Sequence, residues 1–156
     1  MAVACNSSPL IAMSKIGLLD ILKSYFKEVY ISEAVYNEVV IDGGDLFGAT
    51  EVRKACWIKT RKVRNKAAVN ALCMSIHKGE AETIILADEL NADLVVMDDL
   101  YGKHAAQEMG LKAIGTLGIL VKAASDDKIN LPDTLGRLRS SGFWISDELY
   151  DGLLEL

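Results

Sequence analysis

Leu94-Val95-Val96-Met97-Asp98-Asp99 is the stretch on which the fold turns. Four consecutive apolar residues, closed by two aspartates, predict a strand buried on both faces, since a half-exposed strand would alternate. Gly79 to Asn91, before it, reads as helix. Asp99 to Met109, after it, returns to helix, followed by a short strand at Lys112 to Ile114 and a helix at Thr116 to Ser125. Near the N-terminus, Ala2-Val3-Ala4-Cys5 is a second buried strand, ending at Asn6-Ser7-Ser8-Pro9. A serine followed by proline suits a helix start, and Gly17 breaks the helix that follows. Glu28 to Ile31 reads as strand, and Ser32 caps a helix carrying Val35, Tyr36, Val39 and Val40. Leu46 to Ala55 is read as helix, Trp57 to Thr60 as strand and Asn65 to His77 as helix.

Strands separated by helices require right-handed crossovers. The expected fold is a three-layer α/β sandwich, a central parallel sheet of four or five strands with helices on both faces. No repeat or low-complexity linker divides the 156 residues, so 1–156 reads as one domain. Residues 131–156 are a C-terminal helical extension packed on it, carrying Phe143, Trp144, Ile145, Leu149, Tyr150, Leu153 and Leu154.

Composition narrows the chemistry. The chain is 51% hydrophobic, enough for a closed core, yet no apolar run reaches the roughly 18 residues that span a bilayer. The first ten residues lack a basic start and a long apolar stretch, so no signal peptide and a cytoplasmic setting are expected. Cys5, Cys56 and Cys73 are odd in number and widely spaced, against a disulfide framework or zinc knuckle, and are read as small buried side chains. With only His77 and His104, and no Gly-x-Ser-x-Gly elbow, histidine-based metal sites and serine hydrolysis have little to work with. A metal site here has to be built from oxygen ligands.

The net charge of −5 conceals an asymmetry. Val52 to Gly79 holds eight basic residues and no acid, so this window is +8 against −13 for the rest of the chain. Arg53, Lys54, Lys59, Arg61, Lys62, Arg64, Lys66 and Lys78 suit a polyanion, or simply a solvated face.

Ligands of parallel sheets bind beyond the carboxyl ends of the strands. Asn6 terminates the first strand and Asp98-Asp99 the fourth. Glu38 falls between Val35 and Val39 on a helix with a buried face, and Glu80 shares the stripe of Ile84 and Ala87. Buried carboxylates are costly unless paired or holding a cation, and magnesium or manganese would relieve their repulsion. Each has a plainer reading as well: Glu80 as a first-turn charge, Glu38 as a surface partner of a lysine, Asp98 as a helix cap, Asp99 as first-turn decoration. Glu82 points about 200° around its helix from Glu80 and is read as solvated.

Taken in order, Asn6-Ser7-Ser8-Pro9-Leu10-Ile11, Ser32 to Val39, Gly79-Glu80-Ala81-Glu82, Leu94 to Asp99 and Ile114-Gly115-Thr116-Leu117-Gly118 resemble the motifs of the PIN domain, over nearly the whole chain. The likeness is to prokaryotic uncharacterised members similar to toxins of VapBC-type toxin–antitoxin pairs. The resemblance implies small ribonucleases dependent on Mg2+ or Mn2+. Residue by residue, it puts the acidic positions on Asn6, Glu38, Glu80 and Asp98, with Asp99 beside them. Ser8 resembles the family's hydroxyl near the first acid, Thr116 is expected to offer one at the last strand end, and the basic segment Arg53 to Lys66, with Arg61 and Arg64, is expected to hold RNA phosphates. Asparagine stands at position 6 where the family usually has aspartate, which removes one charge and implies weakened catalysis.

Two functions follow as expectations. One is a metal-dependent endoribonuclease acting on RNA, expected single-stranded, in the role of a toxin with an antitoxin partner. The other is a catalytically degenerate PIN fold serving as an RNA-binding or protein-interaction module. The C-terminal helices are read as cover for the sheet, with a homodimer surface or antitoxin groove as alternatives and no membrane contact. A phosphate-handling receiver-like domain is set aside, because no lysine follows a late strand in a matching position.

Overall fold

The computed structural model describes residues 1–44, 46 and 48–156. Five strands form one parallel sheet: β1 (Ala2–Cys5), β2 (Glu28–Ser32), β3 (Ile58–Arg61), β4 (Leu94–Val96) and β5 (Lys112–Ile114). Their order across the sheet is β3-β2-β1-β4-β5. From β1 the chain builds outward through β2 and β3, then crosses back to β4 on the opposite flank of β1. That reversal makes the carboxyl ends of β1 and β4 the switch point, where such sheets open a crevice. Cys5 is in register with Val96, and the Asn6 amide donates to the Val96 carbonyl at 2.9 Å. Asn6 and Asp98 therefore leave the sheet side by side.

Alternation along the strands feeds two cores. Val3, Cys5, Val29, Ile31 and Val96 face one side of the sheet. There they meet Leu10 and Met13 of α1 (Ser7–Lys15), Leu22 of α2 (Asp20–Tyr25), Ile119 and Leu120 of α8 (Thr116–Ser125), and Leu135 and Leu138 of α9 (Leu131–Ser140). Ala4, Tyr30, Val95 and Met97 face the other side. They are covered by Val69 of α5 (Lys66–Leu72), Ala81, Ile84 and Leu86 of α6 (Lys78–Glu89), and Ala106 of α7 (Leu100–Glu108). Helix, sheet and helix make the three expected layers. Through Leu135, Leu138 and Ile145 the C-terminal segment shares the first core, whereas α10 (Asp147–Leu154) buries no residue fully and is tied by an Arg139–Asp147 ion pair. No helix among the described residues is long and apolar enough to cross a membrane.

Element boundaries moved where caps and turns decided them. The Ser32 hydroxyl accepts from the Val35 amide at 3.1 Å, capping α3 (Glu33–Tyr36) as expected, but the helix then widens into a π turn over Asn37–Ile41. Asn65 caps α5 through the Ala68 amide at 3.0 Å. The helix expected to run to His77 stops at Leu72, and α6 starts afresh at Lys78. The helix expected from Leu46 is α4 (Ala49–Lys54), and Phe47 lies outside the described residues.

Two of the three cysteines depart from the expected burial. Cys5 is fully buried in β1, and burial pushes its thiol pKa far up. Cys56 and Cys73 are exposed, because they fall in turns that follow α4 and α5. A thiol reagent at neutral pH is expected to label two cysteines in the folded protein and three after denaturation, read by intact mass. Ile84→Ala, at a position with no exposure, is expected to lower stability by about 2–5 kcal/mol in urea titration.

Candidate functional site

Asn6 occupies the N-cap of α1 with extended backbone (φ −83°, ψ 170°), yet its side chain makes no capping hydrogen bond. An asparagine there normally accepts from the first turn. Instead Oδ1 is buried without a hydrogen-bond partner among the described residues, on a residue only 4% exposed. An orphaned buried acceptor costs about 1–3 kcal/mol, so it is the first mark of a ligand-dependent position.

The two serines that follow are each drawn to a carboxylate. Ser7 donates from Oγ to Glu38 Oε2 at 2.7 Å, and Ser8 donates from Oγ to Asp98 Oδ2 at 3.1 Å. Asp98 also accepts from the Thr116 amide through Oδ1 and from the Thr116 hydroxyl through Oδ2, both at 2.7 Å. Three donors from α1 and α8 thus fix this carboxylate. The expected hydroxyls of Ser8 and Thr116 are both here, with their protons spent on orienting Asp98.

Glu38 and Glu80 come in from the helices. Glu38 was expected near a buried stripe, but it is exposed: the π turn puts Val39 and Val40 into the core and leaves Glu38 at the rim. It lies against Gly79 of α6, where a Cβ would collide with its carboxylate. Glu80 is half-buried, and its stem packs on the first turn of α7, with Cγ 3.2 Å from where a Cβ on Gly102 would sit.

Asp99 is placed elsewhere. Its carboxylate accepts from the Gly102 amide at 2.8 Å as the N-cap of α7, and it borders a separate cleft with His77 and Tyr101. Glu82, expected to be solvated, is 13% exposed and accepts from the Ala34 amide at 3.1 Å, so it caps α3 from a neighbouring helix.

The basic segment divides differently from expectation. The Arg61 guanidinium lies 5.3 Å from the Tyr30 ring centroid and donates to the Thr60 carbonyl at 3.0 Å. Arg64 is exposed, and its backbone amide donates to Glu89. Neither lines a cavity among those described. Lys62, Lys66 and Lys78 do, in a cleft of about 370 Å3 that also includes Asn37, Asn70, Glu33 and Glu82, with Lys78 paired to Glu82 at 4.0 Å. Asn37 precedes Glu38 and Lys78 precedes Gly79, so this cleft opens beside the Glu38 end of the acidic site.

Donor type fits a hard divalent cation: Asn6 offers a carbonyl oxygen, and Asp98, Glu38 and Glu80 offer carboxylates. The orphaned Asn6 Oδ1 fits as well. Among the described residues no three His, Cys, Asp or Glu side chains are close enough together to hold one ion. The site is thus one of oxygen donors in which a third carboxylate is not drawn into a common shell. Four contributors carry little signal in the sequence. These are Ser7, hidden as an ordinary first-turn serine; Gly79 and Gly115, whose missing Cβ atoms admit the acids; and Lys103, one helical turn after the strand-end aspartates.

A family model described as PIN domain matches residues 2–156. No curated protein matches. Among solved structures, the chain is similar to a PilT N-terminus domain protein from the hyperthermophilic archaeon Sulfolobus solfataricus P2, with 22% identity and a TM-score of 0.54. That match covers 79% of this chain and 93% of the other. At such identity the structural likeness speaks for the fold, while the family match spans nearly every residue. The chain belongs to the PIN domain family.

Proposed function

We propose that this chain is a divalent-metal-dependent endoribonuclease that cleaves single-stranded RNA at the carboxyl ends of β1 and β4. PIN domains are in general metal-dependent nucleases, and the observation that carries the reading here is the buried, unpartnered Asn6 Oδ1 beside the fixed carboxylate of Asp98. Asn6 and Asp98 would hold Mg2+ or Mn2+, with Glu38 and Glu80 adding negative charge around it. When bound, such an ion supplies an activated water and neutralises charge developing on the phosphodiester. The chain's own part is orientation. Ser8 and Thr116 hold Asp98 in one rotamer, and Ser7 holds Glu38. The Lys62, Lys66 and Lys78 cleft takes the phosphates next to the scissile bond, and the exposed Arg61 and Arg64 hold RNA phosphates farther along the strand.

A toxin role belongs to the same proposal, in a cytoplasmic setting. Trp144, Leu149, Leu154 and Leu156, all exposed, give the C-terminal end an apolar face for an antitoxin or a second copy. A second reading, a PIN fold that binds RNA without cutting it, is favoured by the uncharged Asn6 and by the separation of the acids.

Cleavage of a single-stranded RNA in manganese separates the two. The nuclease reading expects cleavage that chelator abolishes, a fall of at least about 100-fold in Asp98→Asn and in Glu80→Gln, and a gain in Asn6→Asp. RNA binding without cleavage in the natural protein, with cleavage appearing in Asn6→Asp, would support the binding module. No manganese binding by any variant in calorimetry would overturn the metal reading.

A further inference from the structure

Lys103 stands on the second turn of α7, half-buried, and its amine reaches over the end of β4. At Gly115, the space where a Cβ would sit is 2.9 Å from Lys103 Nζ and 2.8 Å from Asp98 Oδ1. Any side chain at position 115 would drive the amine away from the carboxylate. The amine forms none of the ion pairs among the described residues.

Apart from the carboxylates themselves, the local structure gives no reason for a cation there. Gly115 is the N-cap of α8, and the N-terminal end of a helix disfavours positive charge. Asp98 already accepts three hydrogen bonds. Holding a long side chain half-buried without a partner also forfeits rotamer entropy. What the position offers is one fixed positive charge at the mouth of a site that otherwise carries Glu38, Glu80 and Asp98. A phosphodiester entering that site is repelled by all three carboxylates. An ammonium donor beside Asp98, together with the Thr116 end of α8, meets it with attraction.

We propose that Lys103 is the substrate-contacting residue that binds the phosphate of a single-stranded nucleic acid at the ends of β1 and β4. The proposal rests on the nuclease reading for the identity of the ligand but not for its test. Because the contact is ionic, it operates without a metal and is lost with the charge. It is also separate from the Lys62, Lys66 and Lys78 cleft, which lies toward β3.

Binding of a fully 2′-O-methylated, non-cleavable single-stranded oligonucleotide to the full chain in chelator, by fluorescence anisotropy, is the test. Lys103→Met is expected to weaken binding about 5- to 10-fold at low salt. It is also expected to reduce the slope of log Kd against log salt by about 0.7, one phosphate contact on a single strand. Lys103→Arg is expected to restore both. The salt slope separates ligand contact from a structural role, since a merely loosened site would keep it. Equal affinity and slope in wild type and Lys103→Met would overturn the proposal, as would failure of Lys103→Arg to restore binding or absence of binding by the wild type. Binding that depends on Lys103 in a protein that never cleaves RNA with manganese would sustain this contact and overturn the nuclease reading. Cleavage with unchanged Lys103→Met binding would do the reverse.

Discussion

The carboxylate of Asp98 is the point on which the candidate site depends. It closes β4, accepts from Ser8 at the start of α1, and accepts from the Thr116 amide and hydroxyl at the start of α8. Three segments far apart in sequence are joined there by charge-assisted hydrogen bonds, the stronger kind. An ionised carboxylate has about four acceptor positions. The one left belongs to Oδ1, the oxygen that faces Gly115 and Lys103. The fold thus orients one acid by design of its own hydrogen bonds and keeps a single direction open.

Around that acid the chain places charge with economy. Asn6, buried and unpartnered, contributes an oxygen without a charge; Glu38 and Glu80 contribute charge from the rim and from a half-buried helix turn. Glycines at 79, 102 and 115 let the helices approach within distances that a Cβ would forbid. The lysine-lined cleft continues from this site toward β3. Acids gather at the switch point and lysines lie beside it, on a molecule whose net charge is −5.

Much of the fold was legible in short-range pattern. Leu94 to Met97 and Ala2 to Cys5 have no polar alternation and so had to be central strands, and the crossover rule then made the sheet parallel. The cap at Ser32 was legible too. What could not be read was set by contacts between segments. The π turn at Asn37–Ile41 and the exposure of Glu38 depend on how Val39 and Val40 find the core. Glu82 was misjudged because helical angle says which way a side chain points, not that the amide of Ala34 waits there. The placement of Arg61 over the Tyr30 ring could not be read, since the two are 31 residues apart in sequence. Asp99 and Asp98 are adjacent and chemically alike; only the Gly102 amide and the Thr116 donors divide their roles.

The claim beneath all of this is that the ends of β1 and β4 form one oxygen-lined ion site. Anomalous diffraction from crystals of the protein soaked in manganese tests it most directly. An ion held there gives a peak within coordinating distance of both Asn6 Oδ1 and Asp98. A peak elsewhere on the surface with none at these strand ends would contradict it.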